Sequence, residues 1–198
     1  MCGIVGYIGK SRSVPVLIEG LKRLEYRGYD SAGVALLEDD TLFVRKRAGR
    51  VSDLESVLTN EGFKADAGIG HTRWATHGKP TERNAHPHTN SSASLAVVHN
   101  GIIENHEILR RKLIELGHNF VSDTDTEVIP RLVEENIHLG LEDAVRTVVP
   151  LLEGTYALAF ISESDPDKLV AVRKGSPLLV GLGDGENFLA SSVDALLP

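Results

Sequence analysis

The single cysteine of the 198-residue chain stands at position 2, directly after Met1. Removal of Met1 would make Cys2 an N-terminal residue that carries a thiol and a free α-amine. An α-amine titrates near ~7.7–8.0 and a thiol near ~8.5, so the amine can accept the thiol proton directly or through one water. Cys2 is therefore a candidate nucleophile with its own general base. The alternative is an ordinary buried cysteine at the start of a strand.

Asn100 and Gly101 could stabilise the product of such an attack. When a thiolate attacks an amide carbonyl, the oxygen becomes negative and needs hydrogen-bond donors. The side-chain amide of Asn100 and the backbone N–H of Gly101 could supply two. Asn-Gly is also the best signal for a two-residue hairpin. However, residues 95–99 are a predicted strand and residues 102–105 lead into a predicted helix, which favours the oxyanion-binding interpretation.

Two further groups could bind an α-amino acid substrate. The guanidinium of Arg73 suits a carboxylate, Thr76 and His77 add donors beside it, and Trp74 could shield the site from water. An acid at position 125 could pair with an α-ammonium group. The alternatives are a solvated arginine, a core tryptophan and, for Asp125, a carboxylate that stabilises the start of a helix.

A metal site is a competing interpretation of the histidine-rich stretch. It would use His71, His77, His86 and His88, with Cys2 as a possible soft ligand. Their spacing matches no common zinc motif, and no acidic residue lies between positions 71 and 81. We therefore expect no metal and no cofactor.

Composition restricts the class of partner. The net charge of -7 provides no electrostatic footprint for nucleic acid, and no apolar stretch approaches the ~18 residues of a membrane span. One cysteine cannot form an internal disulfide. We expect a cytoplasmic protein that binds a small molecule.

Hydrophobic periodicity and turn residues predict strands and helices in blocks rather than in strict alternation. We therefore expect one α+β domain over residues 1–198, with largely antiparallel sheets covered by helices. The predicted strands cover residues 4–8, 32–37, 42–46, 67–70, 95–99, 155–162, 168–173, 178–182 and 187–191. The predicted helices cover residues 14–24, 53–58, 105–116, 124–136 and 141–149.

Local signals predict several helix ends. Ser13 is expected to cap the first helix, and two pairs have capping-box spacing: Ser52 with Glu55, and Thr124 with Glu127. Pro130 falls inside the helix predicted at residues 124–136 and should kink or shorten it.

The helix predicted at residues 105–116 has its own signals. Gly117 should end it. Ile108, Leu109 and Leu113 are spaced for one buried face.

Four segments carry a resemblance to a known family: residues 24–33, 71–78, 84–88 and 98–105. Together with residues 1–6, the Arg-Gly-x-Asp-Ser-Ala-Gly segment at 27–33 and the His-Asn-Gly step at 99–101, they resemble the class II glutamine amidotransferases. The longer segments are more similar to the fructose-6-phosphate aminotransferases than to the other branches of that class. The resemblance covers nearly the whole chain.

The resemblance implies the N-terminal-nucleophile hydrolase fold, a four-layer αββα sandwich, and hydrolysis of L-glutamine to glutamate and ammonia. It also implies a role for each candidate residue. Cys2 would be the nucleophile, with Asn100 and the Gly101 N–H as the oxyanion hole. Arg73, Thr76 and His77 would bind the α-carboxylate of glutamine, and Asp125 with the Gly101 region would bind its α-amino group. Trp74 would line the site. Arg27 would orient the N-terminus, and His86 would support the loop or a domain contact.

The resemblance further implies a larger parent enzyme. Its glutaminase domain would continue for some tens of residues past position 198. A sugar-phosphate isomerase part, absent from residues 1–198, would use the ammonia to convert fructose 6-phosphate into glucosamine 6-phosphate. The parent is expected to be a homo-oligomer.

Two other functions remain open. Retention of Met1 would lock the amine of Cys2 in a peptide bond and leave a glutamine-binding or regulatory module without turnover. A metal-dependent hydrolase that uses the histidine-rich stretch is the other.

Overall fold

The computed structural model describes residues 2–74 and 79–196. These residues form ten β-strands and five α-helices, joined by turns and short 3₁₀ segments. The strands are β1 (Gly3–Gly9), β2 (Ser31–Glu38), β3 (Thr41–Ala48), β4 (Ala67–Arg73), β5 (His88–Thr89), β6 (Leu95–Ile103), β7 (Gly154–Ser162), β8 (Val170–Lys174), β9 (Leu179–Leu182) and β10 (Glu186–Ala190). The helices are α1 (Ser13–Leu24), α2 (Val51–Glu61), α3 (His106–Glu115), α4 (Val128–Glu134) and α5 (Leu141–Val148).

The strands build two antiparallel sheets. The six-stranded sheet has the order β3-β2-β4-β1-β10-β9, and the four-stranded sheet has the order β5-β6-β7-β8. The N-terminal strand β1 lies inside the larger sheet, paired with β4 on one side and β10 on the other. The start of the chain is therefore held by two neighbours rather than left at an edge.

Three apolar clusters define the layers. One lies between the sheets and includes Ile4, Ile69, Val98 and Ala159. A second packs α1 and α2 onto the outer face of the six-stranded sheet. A third packs α3, α4 and α5 onto the outer face of the four-stranded sheet. The result is a four-layer αββα sandwich, which confirms the predicted α+β class.

The register of β1 against β4 places Cys2 beside the Arg73-Trp74 segment. Gly3 lies opposite Thr72 in that pairing. A side chain at Gly3 would meet Leu24 Cβ and Thr72 Oγ1, each at 2.7 Å. Glycine is therefore needed there for helix α1 and strand β4 to approach the first residues so closely.

Strand β6 runs further than the sequence predicts. It continues through Asn100 and Gly101 to Ile103, whereas the prediction ended the strand at residue 99. The physical reason is pairing with β7, in which Gly101 lies opposite Tyr156. Gly101 has φ +130°, and a side chain there would overlap the carbonyl oxygen of Thr155. The Asn-Gly step therefore lies inside a strand, and it does not form a hairpin turn.

The predicted caps of the first two helices are wrong. Ser13 is the first residue of α1 and its hydroxyl makes no cap bond; its backbone N–H donates to Ala65 O at 2.8 Å. At α2 the Asp53 carboxylate accepts the Arg50 N–H at 3.0 Å, so the helix begins earlier than the Ser52–Glu55 pair predicts. Glu55 forms an ion pair with a lysine of α1 instead.

The fourth helix begins at Val128, four residues later than predicted. Thr124 and Glu127 form no capping box, because the buried Glu127 carboxylate accepts the backbone N–H groups of Val121 and Ser122. Pro130 consequently falls in the first turn, where its missing N–H has no intrahelical partner to lose.

Other local predictions have mixed outcomes. Asp39 and Asp40 both have positive φ in the predicted β2–β3 turn, and Gly117 follows α3 with φ +98°. Leu109 and Leu113 are buried as expected, but Ile108 is 51% exposed, so its placement on the buried face was wrong.

Within the described residues, every helix is too short or too polar to cross a membrane.

Gly33 offers a test of how the histidine-rich stretch is held on the sheet. A side chain at this β2 position would overlap the backbone carbonyl oxygen of His86, which lies against the strand. We expect Gly33→Ala to lower the free energy of unfolding by about 3 kcal/mol or more, since backbone must move. Urea titration would measure the loss. Gly62→Ala is the matched control: Gly62 has φ +69° and open space around it, so its cost should stay near ~1 kcal/mol.

Candidate active site

The thiol of Cys2 lies against the end of strand β4. Its Sγ accepts the backbone N–H of Trp74 at 3.3 Å, and the thiol lies 3.7 Å from Trp74 O. Burial raises the pKa of the Cys2 thiol, and the hydrogen bond from the Trp74 N–H is the largest effect that opposes this shift. The thiolate is therefore not preformed at neutral pH, and a nucleophilic role for Cys2 needs a base.

The backbone beside the thiol is held by the loop before β2. The Asp30 N–H donates to Arg73 O at 3.1 Å. A side chain at Gly28 would come within 2.6 Å of the Arg73 carbonyl carbon. This close packing fixes the Arg73-Trp74 peptide that contacts Cys2.

Asn100 contacts Cys2 from the other sheet. Its Nδ2 donates to Cys2 O at 3.1 Å, while its Oδ1 lies 3.0 Å from His71 Nε2. An amide nitrogen carries two hydrogens, so one remains for a substrate oxygen beside the thiol. Strand β6 thus brings to Cys2 a donor that lies 98 residues away in the sequence.

Arg73 and Asp125 provide opposite charges in the same pocket. Both line it together with Cys2, Trp74 and Gly101. Arg73 is 3% exposed, and burial lowers the pKa of its guanidinium. Asp125 is 6% exposed and its Oδ2 accepts the Ile103 N–H at 2.8 Å. That bond anchors the carboxylate and leaves its second oxygen available to a ligand.

Four buried histidines lie under the pocket: His71, His86, His88 and His99. The rings of His71 and His86 stack with centroids 4.2 Å apart, and His88 meets His86 at 4.8 Å. Burial lowers the pKa of His71 to about 3 and that of His99 to about 4, and it holds the pKa values of the other two well below 6.5. The cluster is therefore uncharged at neutral pH.

Thr126 joins two of these rings. Its Oγ1 lies 3.0 Å from His86 Nε2 and 2.8 Å from His99 Nδ1. A hydroxyl can donate to one ring and accept from the other, so it fixes both orientations. His86, which Thr126 orients in this way, lines the pocket.

Trp74 lines the pocket, and Arg27 contacts Tyr26. Trp74 is 46% exposed and meets Tyr29 edge-on at 5.8 Å. Arg27 Nε donates to Tyr26 Oη at 3.0 Å, and its guanidinium lies over the Tyr26 ring. The predicted role of Arg27 in orienting the N-terminus stays a prediction.

Two predicted carboxylate-binding residues, Thr76 and His77, lie outside the described residues. The other predicted site residues are all described. Cys2, Arg73, Trp74, His86, Gly101 and Asp125 line one pocket, and Asn100 reaches it through Cys2.

In the part of the chain that the structure describes, no group of three or more His, Cys, Asp or Glu side chains has a geometry for a metal ion. The four rings instead pack on one another and bond to threonines and backbone. A separate, mostly apolar cavity of about 920 Å³ lies between the edge strands β8 and β9. Cys2 does not line it, so the polar pocket is the candidate active site.

Sequence reasoning assigned no catalytic role to His71, His99 or Thr126. The sequence analysis considered His71 only as a possible metal ligand and His99 only as part of the His-Asn-Gly step. They meet only because β4, β6 and the segment before α4 converge behind the pocket.

Comparison with known proteins identifies the family of the chain. The sequence profile of a family described as "Glutamine amidotransferase domain" matches residues 71–198. The glutamine–fructose-6-phosphate aminotransferase (isomerizing) of Symbiobacterium thermophilum is 59% identical over 198 residues, which are 100% of this chain and 32% of that protein. The enzyme of the same name from Aquifex aeolicus is 54% identical, with 100% of this chain and 33% of that protein covered. The chain thus spans about a third of the length of these relatives.

Two solved structures of known proteins have a similar fold. The glutamine phosphoribosylpyrophosphate amidotransferase from B. subtilis has a TM-score of 0.86 at 27% identity over 98% of this chain and 43% of that chain. A structure described as the allosteric regulatory enzyme of purine biosynthesis has a TM-score of 0.88 at the same identity and coverage. The expected N-terminal-nucleophile hydrolase sandwich is confirmed. The family profile, the identity to these relatives and the shared fold show that the chain belongs to the glutamine amidotransferase domain family.

Proposed function

We propose that residues 1–198 act as a glutaminase domain that hydrolyses L-glutamine to glutamate and ammonia. The Cys2 sulfur attacks the side-chain amide carbon of glutamine, and the carbon–nitrogen bond then breaks to release ammonia. Water cleaves the resulting γ-glutamyl thioester to glutamate and regenerates the thiol. The observation that carries this proposal is the Cys2 thiol held against the Trp74 backbone, with the Asn100 amide bound to the carbonyl oxygen of the same cysteine.

The α-amine of Cys2, freed by removal of Met1, is the proposed base. Burial raises the pKa of the thiol, so attack requires a group that takes its proton. The amine lies on the same residue and titrates near ~7.7–8.0, close to neutral pH. The same amine, once protonated, returns the proton to the leaving nitrogen.

The proposed substrate contacts follow from charge. Arg73, Thr76 and His77 hold the α-carboxylate of glutamine, and Asp125 with the Gly101 region holds its α-ammonium group. The opposite charges of Arg73 and Asp125 in one pocket support this assignment. Asn100 Nδ2 and the Gly101 N–H stabilise the oxyanion, for which losing one donor typically costs ~10²–10³ in kcat.

Three further residues are proposed to support the site. Trp74 lines the site, Arg27 orients the freed N-terminus, and His86 supports the loop. The stacking of His86 on His71 and its bond to Thr126 support a structural rather than a chemical role.

The whole protein is proposed to use the ammonia elsewhere. The names of the relatives describe isomerizing aminotransferases that act on glutamine and fructose 6-phosphate. We propose that fructose 6-phosphate is the acceptor of the ammonia and that a sugar-phosphate isomerase part converts it to glucosamine 6-phosphate. We further propose that the parent is a homo-oligomer that acts in the cytoplasm.

Intact mass spectrometry after exposure to a diazoketone analogue of glutamine tests the proposal. We expect a chain without Met1 that gains one adduct on Cys2, and excess glutamine should block it. Iodoacetamide is the generic thiol control. A chain that retains Met1, or a Cys2 that reacts with iodoacetamide but not with the analogue, would contradict the proposal and favour a binding module without turnover.

A further inference from the structure

We propose that His71 is a positioning residue that sets the orientation of the Asn100 side-chain amide at the nucleophile. His71 Nε2 lies 3.0 Å from two oxygens, the backbone carbonyl of His99 and Oδ1 of Asn100. It bridges the two sheets, since it comes from β4 and both partners come from β6. No part of the proposed reaction uses His71 directly.

The His99 carbonyl determines which nitrogen of His71 carries the proton. A carbonyl oxygen can only accept, so a hydrogen bond to it requires a proton on Nε2. His71 is 1% exposed and burial keeps its ring neutral, which leaves Nδ1 unprotonated. Nδ1 is buried and has no hydrogen-bond partner among the described residues. The Nε2–H tautomer is therefore the one that fits.

That tautomer allows Asn100 one orientation. Oδ1 accepts from His71 and Nδ2 donates to Cys2 O at 3.1 Å. A flipped amide would set Nδ2 against the His71 N–H and Oδ1 against the Cys2 carbonyl, which are two repulsive contacts. Each buried polar group left without a partner typically costs about 1–3 kcal/mol. His71 thereby keeps the donor end of Asn100 on the side of the Cys2 backbone carbonyl.

Stacking and burial hold the His71 ring itself. His86 packs on it at 4.2 Å between centroids with 34° between the planes. Without the Nε2 donor, the amide of Asn100 could rotate and would present its donors to the substrate for only part of the time. The kinetic part of this inference rests on the proposed glutaminase activity, whereas the structural part does not.

Two variants separate the donor from the ring. Glutamine can place an amide nitrogen close to the position of Nε2, whereas asparagine is too short to reach it. We expect His71→Asn to lower kcat for glutamate release by about 10–100-fold with KM changed less than about threefold, because an oxyanion donor acts in the transition state. His71→Gln should recover most of the loss. Thermal unfolding of both variants controls for stability.

A double-mutant cycle tests whether His71 acts through Asn100. In an Asn100→Ala background, His71→Asn should cause less than about a twofold further loss of kcat. An equal loss in both backgrounds would overturn the proposal, because a general structural role would not depend on the amide.

Nuclear magnetic resonance supplies a readout that does not need activity. In the ¹⁵N-labelled chain, the side-chain NH₂ of Asn100 should give one protected pair of signals in the wild type and in His71→Gln. The pair should shift and lose protection in His71→Asn. An Asn100 signal that His71→Asn leaves unchanged would overturn the proposal. A wild type with this protected signal but no glutamate release would count against the proposed function alone.

Discussion

Cys2→Ala is expected to reduce glutamate release by about 10⁴-fold or more, because it removes the atom that bonds to the substrate. Alanine is as small as cysteine in second position, so removal of Met1 should be unaffected. The polar contacts of the thiol are with the backbone of Trp74. We therefore expect the free energy of unfolding to change by less than about 1 kcal/mol.

A coupled assay of glutamate, with the variant purified in parallel to remove host glutaminase, measures the effect. Cys2→Ser is the companion variant, since its hydroxyl keeps the size but is a much weaker nucleophile at neutral pH. Calorimetry should show that Cys2→Ala still binds glutamine, because Arg73 and Asp125 are intact. Residual release above a tenth of the wild-type rate would contradict a role for Cys2 as nucleophile.

Acid is expected to destabilise the fold in a pH range where carboxylates contribute little. An unfolded histidine titrates near ~6.5. In the folded chain burial lowers the pKa of His71 to about 3 and that of His99 to about 4. Between the folded and unfolded pKa values, the unfolded state binds more protons than the folded state. The histidines therefore contribute their full share of the free energy of unfolding above about pH 6.5, and this share is lost as the pH falls.

The expected size follows from the number of groups. Each such histidine contributes a slope approaching about 1.4 kcal/mol per pH unit, so His71 and His99 together give nearly 3 kcal/mol per unit. Burial lowers the pKa values of His86 and His88 as well, which adds to the slope. Urea titrations between pH 4.5 and 6.0 would measure it. An unfolding free energy that is constant across that range would contradict a neutral buried cluster.

His88→Gln isolates one member of the cluster. His88 Nε2 lies 3.1 Å from Thr124 Oγ1, a contact that an amide can replace. We expect the variant to reduce the slope by about 1.4 kcal/mol per pH unit. His138→Gln is the matched control, because His138 lies exposed on the surface, and it should retain the wild-type slope.

The class of fold and the candidate reactive groups could be predicted from the sequence. The functional groups of the lone cysteine at position 2 and of the Asn100-Gly101 step restrict which reactions are possible. This restriction does not depend on which distant residues surround them. The β2–β3 turn and the end of α3 were also predictable. The backbone energetics of Asp39, Asp40 and Gly117 are local, and their positive φ values follow from the residue types.

Tertiary contacts determine where β6 ends and where α4 begins. Strand β6 passes through Asn100 because β7 pairs with it across more than fifty residues of chain. Helix α4 starts late because the Glu127 carboxylate is taken by the backbone of residues 121 and 122. In both places long-range hydrogen bonds override the local pattern.

The histidine cluster shows the same limit within the site. From the sequence, the histidine-rich stretch had metal ligation as an alternative, and the family resemblance implied loop support for His86. The fold instead stacks His71 on His86 and directs the Nε2 of His71 at Asn100. Those contacts join a strand of one sheet to a strand of the other. Residue types therefore determine which reactions are possible, and the packing of the two sheets decides which groups stand at the distance and orientation that a reaction needs.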